Sequence, residues 1–280
     1  MAADSPFQFV QFEFGFRLGP DDGRYLRRAG EGGEPERVIV LSTMGARQRR
    51  LLRGKKPAAV AGQPEPSPVP TARATLIRPE PFPSAGDAER WLDRLRRDAA
   101  ALNAEVDDAA RELNSVLRAH RAAAADPYVR EVSRESANAV RVGYGSGDLV
   151  ADGHFAAAYE LPAGLRVARS AEAVAPLERL AAIMSGAQEA GIGEELVLRA
   201  RLDLDAGRPR EAALQARIAL EALLAEPTGA ETDALEAHRQ PVAEAANAAL
   251  RGNLEERLET AVTDAVSEMR RALRRASDRV

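Results

Sequence analysis

Residues 92–120 read LDRLRRDAAALNAEVDDAARELNSVLRAH. One class of position recurs there at alternating steps of three and four: Leu92, Leu95, Ala99, Leu102, Val106, Ala109, Leu113, Val116 and His120. That spacing predicts a single long helix of coiled-coil periodicity, with a seam that a partner helix has to cover. Leu92, Leu95, Leu102, Val106, Leu113 and Val116 are the expected contact residues, and His120 reads as a neutral imidazole within the seam. The pattern speaks of packing or assembly and carries no chemistry. It is the same whether the seam closes within one chain or between two.

Upstream of this helix, Ser84 and Asp87 offer N-cap side chains, and Asp126-Pro127 predicts its end near Ala125. Farther upstream the period changes. Residues 7–18, FQFVQFEFGFRL, alternate from Val10 onward, with Phe12, Phe14, Phe16 and Leu18 on one side and polar residues or glycine between them. That predicts a strand with one buried face. Gly19–Gly23 supply a turn and Arg24–Arg28 a returning partner strand. Arg37–Ser42 and Ala72–Ile77 read as further strands. Three or four strands bury too little to stand alone, so the Phe face is expected to pack on the helical body.

The fold class expected is therefore α+β, mainly α. A small N-terminal antiparallel β-sheet occupies residues 1–83, and residues 84–280 form a helical-bundle body with one long coiled-coil-like helix. Within the first part, about 46–71 reads as a basic and then Pro-rich linker. The body is expected to hold helices near 127–142, 149–160, 171–190, 194–206, 209–225, 231–251 and 254–278. Two turns, Gly153 to Ala158 and Gly207 to Ala212, pair a glycine suited to positive φ with a small residue five places on.

Charge and composition limit the function classes. Residues 1–85 carry 13 Lys/Arg against 9 Asp/Glu and the remainder 26 against 34, giving an acidic body with a basic N-terminal section. Arg outnumbers Lys 37 to 2, which fits a GC-rich coding sequence together with the heavy use of alanine. There are no cysteines, which excludes disulfides and thiolate zinc sites. His120, His154 and His238 form no ligand cluster, and no stretch of 18 apolar residues occurs. A soluble cytoplasmic protein with no membrane partner, no metal and no cofactor is the expectation. No nucleophile elbow, HExxH or paired-carboxylate signature appears, so no catalytic residue is assigned.

Two segments offer binding chemistry. Arg47, Arg49, Arg50, Arg53, Lys55 and Lys56 fall within ten residues beside a proline-rich tether. Such a cluster suits nucleic-acid phosphates or an acidic protein partner, although no aromatic residue is interleaved for base stacking. Gly143, Tyr144, Gly145, Ser146, Gly147 and Asp148 form a glycine-rich stretch that resembles a ligand loop. It lacks the Gly-Lys-Ser/Thr ending of a P-loop, and its spacing is not the dinucleotide fingerprint. A structural turn is the simpler reading, with Asp148 as a cap. The last helix carries an Ala-rich apolar stripe and ends on Arg270, Arg271, Arg274, Arg275 and Arg279, which complement a helix C-terminus.

Residues 196–226, LVLRARLDLDAGRPREAALQARIALEALLAE, resemble the helical hairpins of HEPN and tetratricopeptide proteins. HEPN ribonucleases carry an Arg-x4–6-His motif; no histidine here follows an arginine at that spacing, so the activity does not carry over. QFEFGFRLGPDDGRYL and ALEALLAE resemble stretches of conserved uncharacterised actinobacterial proteins, which implies a bacterial cytosolic origin. The functional expectation is a non-enzymatic interaction or scaffold protein that binds a protein partner or itself through helical surfaces. A nucleic-acid-associated protein using the arm at 47–56 is one alternative, and a ligand-binding or HEPN-like protein without the ribonuclease motif is the other.

Overall fold

The computed structural model describes residues 5–28, 32–44, 71–161, 175–187, 191–225 and 232–277. The basic cluster at 47–56 and the proline-rich stretch after it lie outside these. The fold is α+β and mainly helical, with one antiparallel sheet. Contacts divide the chain into two compact units, residues 1–168 and 169–280. The division expected at 83/84 therefore falls inside the first unit, because the helices after residue 84 pack on the sheet itself.

The sheet holds six strands rather than three or four: β1 (Phe7–Phe14), β2 (Gly23–Arg28), β3 (Pro35–Met44), β4 (Thr71–Pro81), β5 (Ala139–Gly145) and β6 (Ala157–Glu160). Their order is β2-β3-β4-β1-β5-β6. The apolar β1 is central, between β4 and β5, and β2 pairs with β3. The expected β1–β2 hairpin is thus not formed. β2 carries Arg24, Arg27 and Arg28, and charged side chains of this kind guard an open edge against further pairing.

The seam of residues 92–120 is not one helix. α1 (Ala85–Arg97) and α2 (Ala99–Ala124) are separated at Asp98, whose backbone is extended (φ −117°, ψ 94°). The Asp98 carboxylate accepts from the amides of Ala100 and Ala101, each at 3.0 Å, and so starts α2 afresh. The outer ends follow the sequence. Ser84 caps α1, accepting from the Asp87 amide at 3.2 Å, and α2 ends at Ala125 with φ +51°.

Nor is the partner of the seam a helix. Leu95, Leu102, Val106, Ala109 and Leu113 are buried in one cluster with Val10, Phe12, Phe14, Ile39, Leu41 and Leu76 of the sheet, and Leu92 is buried as well. The buried line then drifts from Val116 to Leu117, while Ala99 is exposed. That drift is the 3.6-residue period of a straight helix lying on a sheet, in place of the 3.5 period of a supercoil.

Charges fix the rotation of α2. Arg27, Arg37 and Arg78 come from the neighbouring strands β2, β3 and β4, and Arg27 stands directly opposite Arg37. Like charges so placed repel. Successive turns of α2 answer them: Arg27 pairs with Glu112, Arg37 with Asp108 at 2.7 Å and Arg78 with Glu105 at 3.2 Å.

The chain after α2 departs most from expectation. No helix forms over 127–142. The segment runs along α2, and Asn114 serves it as a surrogate strand neighbour, donating to the Val132 carbonyl and accepting from the Val132 amide, both at 2.8 Å. A 3-10 turn at Arg134–Ser136 then leads into β5. The expected helix at 149–160 is reduced to α3 (Gly147–Ala151), which rests on the sheet face opposite α2, and only Ala157–Glu160 of the remainder is regular, as β6.

The second unit contains α4 (Ala175–Met184), α5 (Ile192–Asp205), α6 (Pro209–Ala225), α7 (Thr232–Glu236), α8 (Arg239–Leu250) and α9 (Glu256–Ser277). The helix expected at 231–251 is divided into α7 and α8. The core is built on small residues, among them Ala200, Ala212, Ala216, Ala219, Ala245, Ala249 and Ala265, which let helix axes approach closely. The α5–α6 turn takes φ +67° at Gly207, and Ala212 is fully buried. Beside it, the buried Arg208 pins the turn, its Nε and Nη2 donating to Asp203 at 2.8 and 2.6 Å.

Candidate functional site

Three groups of residues carry the expectations from sequence, and the structure disperses them. Leu95, Leu102, Val106, Ala109 and Leu113 lie in the core of the first unit and Leu92 is buried too, while Val116 and His120 are half-buried and Ala99 is exposed. The cluster at 47–56 is outside the described residues. Gly143, Tyr144 and Gly145 are the last residues of β5, Ser146 precedes α3, and Gly147 and Asp148 begin it.

The glycines of that stretch are used in packing. A Cβ on Gly143 would lie 2.3 Å from the Ala157 carbonyl oxygen and 2.8 Å from the Ala158 Cα. On Gly145 it would lie 2.8 Å from Val150 Cγ1 and 3.1 Å from the Ala156 nitrogen. Neither glycine has positive φ. Both serve the close passage of residues 155–158 past β5, and Phe155 continues that contact by stacking on Phe9 with centroids 5.1 Å apart.

On the same face the sheet gathers a polar centre. Gln11 and Glu13 occupy the positions between the inward phenylalanines of β1 that alternation assigns to solvent. Gln11 is nonetheless fully buried, and its Nε2 donates to Thr75 Oγ1 at 2.9 Å and to the Val150 carbonyl at 3.1 Å. Glu13 Oε1 receives Arg73 Nη2 at 2.9 Å and Arg141 Nη1 at 2.9 Å, and Arg141 Nε donates to Glu160 at 2.7 Å. Burial alone would raise the Glu13 carboxyl, but the Arg73 and Arg141 guanidiniums outweigh it and hold the group below its ordinary value of 4.5.

This centre ties β6, β5, β1, β4 and α3 together. Its two arginines are spent on its two carboxylates. An open hollow of about 360 Å³ beside Arg73 adds Arg17, Asp21 and Asp22, a balanced set with no net charge to select an ion. Sequence reasoning missed Glu13, Arg73 and Arg141 because their pairing joins residues 60 or more positions apart.

The depressed Glu13 group has a measurable consequence. Its contribution to stability is present above the unfolded carboxyl value and is lost as pH falls through the folded one. Glu13→Gln is expected to lower stability by about 1–3 kcal/mol near neutrality, because it leaves the Arg73 guanidinium without its anion and Arg141 with Glu160 alone. Urea titrations at several pH values should show the gap to wild type closing below about pH 4.5. A gap independent of pH would show that the Glu13 charge is not what the arginines hold.

The second unit presents apolar residues outward. On α5, Leu198 and Leu202 stand one turn apart with 54% and 62% of their surface exposed, and Ile192 is exposed at the start of the helix. The opposite side of α5, through Val197 and Ala200, is buried against the unit. The helix is therefore apolar on two sides, and its sequence carries that signal in the leucines lying off the Val197–Ala200 line. The flanking charges are closed within the helix: Arg199 with Glu195 and Arg201 with Asp205. Among the described residues no three His, Asp or Glu side chains converge on a metal position, and no helix is long and apolar enough to cross a membrane. No protein-family model, curated protein or solved structure matches the chain.

Proposed function

We propose that this protein is a non-enzymatic interaction or scaffold protein of the cytoplasm, and that the outward face of α5 receives its partner. The supporting observation is the pair Leu198 and Leu202. Burying an exposed leucine gains about 1.5–3 kcal/mol, and two leucines at i, i+4 match the anchor spacing by which one amphipathic helix lies on another. With the neighbouring charges already paired, selectivity on this face rests on apolar shape.

The test is Leu198→Glu together with Leu202→Glu, both surface changes that spare the core. Affinity capture from lysate of the source organism, read by mass spectrometry, is expected to lose its retained proteins with the double variant while the melting temperature stays within a few degrees. Retention of the same proteins would refute the assignment of this face. The cationic run 47–56 supports a second reading, contact with nucleic acid. Nuclease treatment during the same capture separates the two, since partners held through nucleic acid are then lost from the wild type.

A further inference from the structure

The outward side of α9 carries a second seam. Glu256, Thr260, Thr263, Ser267, Arg270 and Arg274 recur at steps of four, three, four, three and four, which aligns them along one side of the helix at coiled-coil spacing. The opposite side, through Leu258, Val262, Ala265, Val266 and Met269, is buried in the unit. Glu256, Thr260, Thr263 and Arg274 are exposed, while Ser267 and Arg270 are half-buried. Among the described residues, the side chains of Glu256, Arg270 and Arg274 have no hydrogen-bonded or ion-paired partner.

We infer that this seam pairs antiparallel with the same seam of a second copy of the chain. The seam is complementary to itself when reversed about the level of Ala265. Glu256 then meets Arg274 of the other copy, Thr260 meets Arg270, and the small side chains Thr263 and Ser267 meet at the centre. The hydroxyls of Thr260 and Thr263 are already spent on their own helix, donating to the Glu256 and Glu259 carbonyls at 3.0 and 2.9 Å, so contact does not strand these two donors. Parallel pairing is excluded by charge, because it sets Glu256 on Glu256 and Arg274 on Arg274.

Antiparallel pairing also opposes the two helix dipoles. Dipole compensation within one helix does not account for the whole pattern: it fades within the last turn, and Arg270 lies about two turns before the end at Ser277. The α5 face shows no such self-match. Reversing α5 about the midpoint of Leu198 and Leu202 would set Glu195 against Asp205 and Arg199 against Arg201. The α9 pairing is therefore independent of the partner proposed for α5.

The experiment is sedimentation equilibrium on the full chain, with Arg274→Glu and Glu256→Arg alone and mixed in equal amounts. Wild type is expected to reach the mass of a dimer of the 30.0 kDa chain at about 0.05 M NaCl, with an apparent dissociation constant at least about tenfold weaker at about 0.5 M. Each variant alone is expected to be monomeric, because each places like charges across the seam twice. Their mixture is expected to restore the dimer, since every reversed charge then meets its opposite. Circular dichroism confirms that the variants are folded. A monomeric wild type at low salt, a mixture that stays monomeric, or a dimer indifferent to both reversals would each overturn the inference. Leu198→Glu/Leu202→Glu is expected to dimerise as wild type does, which keeps a failure of this seam distinct from a failure of the α5 face.

Discussion

Leu113→Asp is expected to unfold the first unit. Leu113 is fully buried on α2, within the cluster that joins the helix to Phe12, Phe14 and Leu76 of the sheet. The substitution removes a leucine worth about 2–5 kcal/mol in a packed core and puts in its place a carboxylate without a partner. A loss above about 4 kcal/mol is a large part of what holds a unit of this size together. The readout is already in the chain. Trp91 is the only tryptophan, and its ring sits on α1 with its centroid 5.4 Å from that of Phe82, so its emission reports on the first unit alone. Emission from the variant should be shifted toward that of solvent-exposed indole, and the wild-type melting transition of this signal should be absent. A transition retained within a few degrees would show that Leu113 does not lie in a closed core. Wild type offers a companion measurement: because the seam closes on the sheet of its own chain, the Trp91 transition should not move with protein concentration at about 0.5 M NaCl, where the α9 contact is screened.

That seam illustrates what local periodicity records and what it omits. Apart from Ala99, which is exposed where the helix breaks, the spacing from Leu92 to Leu113 marks buried positions correctly, since burial on any flat partner requires one apolar line. It does not name the partner. A sheet and a helix both accept such a line, and the difference between 3.5 and 3.6 residues per turn emerges only at Val116 and Leu117, four turns on. Asp98 was hidden for a related reason. It falls between seam positions, so counting the seam steps over a side chain that ends one helix and caps the next.

Long-range pairing explains the other departures. Val129 and Val132 sit three apart, as on a helix, and both are buried, yet they belong to an extended segment held by Asn114. Val140 and Val142 alternate as a strand should, but four residues of AVRV mean little until Gln11 and Arg141 are known to be neighbours across 130 positions. Where the determining contacts are near in sequence, the reading was sound: the Ser84 cap, the end at Ala125 and the positive φ of Gly207 all depend on atoms a few residues away. The polar centre around Glu13 and the outward leucines of α5 are of the other kind. Both acquire meaning only when the fold decides what covers them.

The glycine stretch at 143–148 brings these lines together. Gly143→Ala is expected to lower stability by about 3 kcal/mol or more, an unusually large effect for one added methyl group. The reason is the identity of the obstructing atoms. The new Cβ would lie 2.3 Å from a backbone carbonyl oxygen and 2.8 Å from a Cα, both in β6, and backbone cannot turn aside as a side chain can. Relief requires β6 to move away from β5, which breaks the pairing of Gly143 with Ala158 and takes Glu160 from Arg141. Gly193→Ala is a useful contrast. Its Cβ would meet Leu223 Cδ2 at 2.9 Å, the end of a side chain that can rotate, and the loss there should be the smaller of the two. Urea unfolding of both variants gives the comparison directly. If Gly143→Ala cost no more than Gly193→Ala, the β5–β6 approach would be looser than the structure has it. The same geometry governs any test of this stretch as a ligand loop: Gly145→Val would meet Val150 at 2.8 Å and destabilise the unit with or without a ligand. A loss of ligand response in that variant would therefore report packing, and a binding role for 143–148 has to be tested at Ser146, whose side chain makes no capping bond to α3.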